Sequence, residues 1–159
     1  MTDFTPATLP FGIVRFPGGM AGAATRVGDD VIPLAQIPHD VPRDVFEQSS
    51  LNAFAALGPD AWAATRKVVM ESIERGNPDA FPADDVVALL PFEVGDYVDF
   101  YSSKEHATNL GRILRPGTEP LLENWTRLPV GYHGRSASLA PSGTEVHRPS
   151  GLVREPDGT

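Results

Sequence analysis

A chain of 159 residues, 41% apolar and 21% charged, has room for one ordinary domain, or for a small domain and part of another, and its composition is that of a folded protein rather than a disordered tail. The formal charge of −8 repels phosphate backbones and anionic headgroups, which argues against nucleic acid or a membrane surface as partner. With no cysteine, disulfides and thiolate metal sites are excluded, and any metal would need oxygen or imidazole ligands, which favours a hard cation such as Ca2+ or Mg2+.

Residues 1–10 read as an irregular arm. They carry neither the basic region nor the apolar core of a signal peptide, and no apolar run in the chain approaches the roughly 20 residues of a membrane span, so a cytoplasmic location is expected. Residues 11–16 are a strand candidate closed by the turn Pro17, Gly18, Gly19. Residues 23–27 and 31–35 are two further short runs, with Gly28, Asp29 and Asp30 as the hairpin turn between them. Three such runs in close succession suggest a small barrel or sheet.

The middle of the chain reads as helical. Ser50 is placed to cap a short helix over residues 51–57, which Gly58 and Pro59 stop. A second helix has Pro59 in its first turn and Gly76 just past its end. Its apolar stripe is Trp62, Val69 and Ile73. Arg66, Lys67, Glu71 and Arg75 lie largely outside that stripe, with Glu71 and Arg75 in the favourable i,i+4 order. Both helices read as packing elements, with a partner-binding helix as the alternative. Residues 77–82 read as a linker loop and residues 86–90 as a short buried strand broken by Pro91. A domain boundary is placed there, dividing the chain into 1–90 and 91–159.

Residues 94–109 are the densest signal. Val94, Val98 and Phe100 alternate with Tyr97, Asp99, Tyr101 and Ser103, which makes a strand with one apolar face and one face of phenols, a carboxylate and a hydroxyl. Asp99 and Tyr101 would project side by side, about 7 Å apart along the chain. The period then changes. Ser102 or Ser103 is a good N-cap for a helix starting at Lys104. With Ser103 as cap, His106 is the third helical residue, where the positive end of the helix favours the neutral ring that a general base needs. The pattern alone leaves open a surface Asp beside a His in a capping region. In residues 128–135, two glycines bracket Tyr132 and His133, so the loop is tight and presents both rings. Arg115 and Arg135 could hold a carboxylate, or the segment is a turn with solvated arginines. Residues 138–140 and 144–148 look like short strands around a turn at Pro141, Ser142 and Gly143. His147 reads as structural, and His39 receives no role. The ending, residues 151–159, reads as a mobile turn.

These residues match a known pattern. Gly95-Asp-Tyr-x-Asp-Phe-Tyr-Ser-Ser-x-x-His-Ala-Thr-Asn109, then Asn124-Trp125 and Leu128-Pro-Val-Gly-Tyr-His-Gly-Arg135, closely resemble the fumarylacetoacetase family of tyrosine breakdown. Leu9-Pro-Phe-Gly12, the hairpin at Gly28, Leu51-Asn52 with Phe54, and Leu57-Gly58 extend the resemblance over nearly the whole chain. It implies a mainly β fold with two short-to-medium helices: an SH3-like N-terminal barrel over residues 1–90, then the first strands of a mixed β-roll over 91–159. It also implies Asp99 as one ligand of a Ca2+ or Mg2+ ion, His106 as the base that activates water, and Tyr101, Arg115 and Tyr132 as substrate-binding groups. The implied reaction is hydrolysis of a carbon–carbon bond in a 1,3-diketo acid, giving fumarate and acetoacetate, with the metal as Lewis acid, in a homodimer. The family's remaining metal ligands and oxyanion donors are expected beyond residue 159, so the chain by itself is expected to be inactive. Two alternatives stand beside this reading: a non-enzymatic binding or assembly module, and a related hydrolase or decarboxylase of another 1,3-dicarbonyl acid.

Overall fold

The structure, a computed structural model, describes residues 4–76 and 79–152. The chain divides into two compact units, one formed by the residues up to Glu93 together with those from Ala140 on, the other by Val94–Leu139.

The first unit is organised by a curled five-stranded antiparallel sheet. Strand β1 (Phe11–Arg15) and β2 (Ala21–Val27) pair in register from Phe11 opposite Thr25 to Arg15 opposite Ala21. β2 continues into β3 (Asp30–Pro33) through the expected hairpin, where Gly28 takes a φ of +62° that glycine adopts without a steric penalty. Two helical turns follow, α1 (Arg43–Phe46) and α2 (Asn52–Ala55), then the long helix α3 (Pro59–Glu74). The sheet is completed by β4 (Phe81–Pro82) beside β3 and β5 (Val87–Leu89) beside β1, in the order β4-β3-β2-β1-β5. The barrel-like sheet with added helices matches the expected fold class.

Ile13, Ala23, Ile32 and Leu34 from the sheet side meet Phe46, Leu51, Phe54 and Val69 from the helices in one buried cluster. Phe46 and Val69 are fully buried, and excluding a side chain of Phe size from water stabilises by about 1.5–3 kcal/mol. The rings of Phe11, Phe46 and Phe54 run through this core at centroid distances of 5.9 and 5.1 Å. His39, which had no role in the sequence, packs edge-on to Phe46 at 4.6 Å, and its ring nitrogens lie 2.7 Å from the carbonyl oxygen of Val41 and 3.2 Å from that of Leu34.

Several local expectations are corrected. Ser50 does not cap α2: the residue before the helix is Leu51, with no side-chain cap bond. The entry is fixed instead by a strand-end tie, in which Leu51 N–H donates to Pro91 at 2.8 Å and the Asn52 side chain exchanges two bonds with the Glu93 backbone. On α3 the buried positions are Thr65, Val69 and Ser72, and Ile73 is only partly buried. Trp62 is 41% exposed, although its indole N–H donates to Phe54 at 3.0 Å. Arg66 lies half-buried and donates to the carbonyls of Ala7, Thr8 and Leu9, which ties down the N-terminal arm. Glu71 pairs with Lys67 at 3.9 Å.

Phe81–Pro82, placed in a linker loop, is an edge strand. Asn77 and Pro78 lie outside the described residues. The strand at Val87 is an edge too, with one neighbour, and Val87 is exposed rather than buried. Residues 138–140 and 144–148 form no strands. A 3-10 turn at Ser136–Ser138 and a bend closed by Thr144 N–H on Pro141 at 3.3 Å stand there instead, because no neighbouring strand is present to pair with them among the described residues. Of the predicted mobile ending, residues 153–159 lie outside the described residues. Among the described residues, no helix is long and apolar enough to cross a membrane.

Candidate functional site

The second unit holds all five sequence-predicted site residues. Strand β6 (Asp99–Phe100) pairs with β7 (Gly131–Tyr132), Asp99 opposite Tyr132 and Phe100 opposite Gly131. Between them in sequence runs helix α4 (Lys104–Leu114). Its N-cap is Ser103, whose hydroxyl oxygen accepts from His106 N–H at 3.2 Å, so His106 occupies the third helical position as the spacing predicted.

Asp99 and Tyr132 are cross-strand partners, and the phenol of Tyr132 donates to Oδ2 of Asp99 at 2.8 Å. That bond, which holds the proton on the phenol, is the main reason the Tyr132 pKa is raised above its ordinary value of 10.0, and the negative charge of Asp99 acts in the same direction. The loop after β7 lies hard against the carboxylate. A Cβ at Gly134 would stand 2.9 Å from both Cβ and Oδ2 of Asp99 and 2.8 Å from Cε1 of Tyr97, so only glycine fits that approach. The ring of Tyr101 meets the ring of Tyr132 edge-on at 6.4 Å.

Tyr101, His106, Arg115 and Tyr132 line one open hollow of about 180 Å3, whose apolar wall is Ala107, Leu110 and Leu114 from α4. The wall follows from helical spacing, since residues 107, 110, 111 and 114 recur at three and four. His106 is exposed. Arg115 ends α4, and its Nη2 donates to the carbonyl of Pro120 at 2.9 Å. Its Nε is buried with no partner among the described residues, a donor that costs free energy until an acceptor meets it.

One side of β6 departs from expectation. Val94, Val98 and Phe100 were read as the core face, yet they are 44%, 60% and 50% exposed, while Tyr97, Asp99 and Tyr101 are half-buried. The alternation is real, but within this unit no second layer covers the apolar side. One support was not singled out in the sequence. Trp125 donates its indole N–H to the carbonyl of Tyr101 at 3.0 Å, just past the end of the β6 ladder. Its only sequence signal was its place in the matched Asn124-Trp125 pair. His133, read in the sequence as a presented ring, is exposed and lies 3.5 Å from Asp96.

Among the described residues, no three His, Asp or Glu side chains gather as a metal-binding group. Asp99 offers one carboxylate, with one oxygen already engaged by Tyr132, whereas Ca2+ takes six to eight oxygens and Mg2+ six. The residues present therefore do not by themselves fit either ion.

The model of the family described as fumarylacetoacetase N-terminal matches residues 7–91. Among curated proteins the chain is similar to the fumarylacetoacetase of Dictyostelium discoideum, 43% identical over 177 residues, and to those of Caenorhabditis elegans and Homo sapiens, 37% and 36% identical over 175 residues. Each alignment covers 98% of this chain and 42% of the relative. The chain thus spans about two fifths of the length of these relatives.

Proposed function

The chain belongs to the fumarylacetoacetase N-terminal family, and from that premise we propose that the protein it serves is a carbon–carbon bond hydrolase of fumarylacetoacetate, yielding fumarate and acetoacetate. Residues 1–90 are then the barrel domain and 91–159 the opening of the catalytic domain, in a cytoplasmic homodimer that uses Ca2+ or Mg2+ with ligands from outside this chain. The metal would supply Lewis acidity toward the diketone oxygens.

The single observation that carries the reading is the hollow itself. A histidine, two tyrosines and an arginine line one small space, and that arginine keeps a buried N–H unmet among the described residues, a set that suits a small acid better than a bare assembly module. In this reading His106 takes a proton from water, whose oxygen attacks a ketone carbon. The bond between that carbon and its neighbour breaks, and the departing carbanion takes up a proton. Arg115 holds a carboxylate, Tyr101 binds a substrate oxygen, and Tyr132 does so by turning its one O–H from Asp99 to the substrate. Asp99 is held at the edge of the site by Tyr132 and offers its other oxygen.

The test uses the gene product that contains these 159 residues, with fumarylacetoacetate as substrate and loss of its absorbance as the readout. Replacing His106 by Ala should lower kcat by roughly 10²–10⁴-fold. Turnover unchanged by His106→Ala, or no turnover by the unsubstituted protein in Ca2+ or Mg2+, rejects the reading.

A further inference from the structure

We propose that Gly111 is a positioning residue for Arg115, and that the close approach it permits holds the guanidinium beside the hollow to receive a carboxylate. The inference deepens the function proposed above and rests on it.

Gly111 is buried on α4, four residues before Arg115. A Cβ at this position would collide with the carbonyl oxygen of Pro120 and would stand 2.7 Å from its carbonyl carbon and 3.0 Å from its Cα. These are backbone atoms, which cannot swing aside as the end of a long side chain can. The helix and the turn at Pro116–Pro120 therefore touch only because residue 111 has no side chain. Arg115 uses that contact: the Pro120 carbonyl, brought in against Gly111, accepts from Nη2 at 2.9 Å. The same glycine's carbonyl accepts the backbone N–H of Arg115 at 2.9 Å. The turn is closed in its own right, with Thr118 N–H and Oγ1 donating to the Arg115 carbonyl at 3.3 and 3.0 Å.

The guanidinium is thus held through Nη2. The Nε on that group is buried and unpartnered among the described residues, and the residue lines the same hollow as His106, Tyr101 and Tyr132. A planar guanidinium anchored at one nitrogen and still carrying an unmet N–H suits a planar anion such as a carboxylate. The ligand class is a small mono- or dicarboxylate.

The test measures calorimetric binding of fumarate and of its uncharged isostere fumaramide to the gene product containing this chain, unsubstituted and as Gly111→Ala, Pro120→Gly and Arg115→Gln. The unsubstituted protein should prefer fumarate. Gly111→Ala should cut that preference by about tenfold or more, close to the loss in Arg115→Gln, whereas general damage to the fold would weaken both ligands alike. Pro120→Gly keeps the carbonyl but loosens its backbone and should give a partial loss. If Gly111→Ala does not fold, Pro120→Gly decides, and an unchanged preference there overturns the inference. A preference that survives Gly111→Ala but vanishes in Arg115→Gln overturns the role of Gly111 and leaves the carboxylate site intact. No preference in the unsubstituted protein overturns the carboxylate site and the inference together.

Discussion

The phenol of Tyr132 donates to Oδ2 of Asp99 at 2.8 Å, across the short ladder that joins β6 to β7. One bond thereby ties the carboxylate expected to meet a cation to a ring expected to meet substrate. It also keeps the phenol protonated beyond its ordinary range, chiefly through the bond itself.

Asp99→Asn should bring the Tyr132 titration back down toward 10.0. The chain has only three tyrosines, so ultraviolet difference titration of the variant against the parent resolves the change. The sign follows from the raised folded value: the stabilising effect is complete below pH 10 and is lost as pH rises through the folded pKa. An identical titration in both proteins would rule out the bond in solution.

Gly134→Ala should destabilise the second unit by about 1–3 kcal/mol, because the added methyl meets the Cβ of Asp99, which cannot move without β6. Urea unfolding gives the magnitude. The same variant should lose the upward shift of Tyr132, and a stable variant with the shift intact would contradict the packing.

Ser103→Ala removes the cap from α4 and should cost about 0.5–2 kcal/mol. Ser103→Asp should recover most of it, since an aspartate accepts the same His106 N–H. Both are read by denaturant midpoints, and equal stability of the alanine variant and the parent would argue against the cap.

The isolated 159-residue chain should bind Ca2+ no more tightly than about millimolar, the weak end of the range for oxygen-ligated sites, since Asp99 stands without a second and third acidic ligand among the described residues. Calorimetric titration checks this. Micromolar binding would show that the chain assembles a centre from residues not brought together here.

Much of the local structure was legible because it depends on neighbours in sequence. Pro59 and Gly76 bracket α3, Ser103 starts α4, and Gly28 turns the hairpin. What the pattern could not give depends on residues far along the chain. Leu51 and Asn52 are tied to Pro91 and Glu93, so Ser50 was a reasonable but unused cap. Phe81–Pro82 is a strand only because β3 lies beside it. The alternation of Val94, Val98 and Phe100 shows which side of β6 is apolar, but a period carries no information about whether anything lies over it. The candidate site was read by two routes. Spacing alone put His106 at the helix start, while the grouping of Tyr101, His106, Arg115 and Tyr132 was implied by family resemblance and now has a common hollow. Trp125 and Gly111 act through backbone carbonyls, and a sequence does not show which carbonyl a side chain will find.

The chain has two tryptophans, and each donates its indole N–H to a carbonyl of its own unit, Trp62 to Phe54 and Trp125 to Tyr101. Each unit therefore carries a private fluorophore. Replacing either one by phenylalanine leaves an emission signal that belongs to a single unit, so the order in which the two units melt, and whether they melt as one, can be followed in an ordinary fluorimeter without any added label.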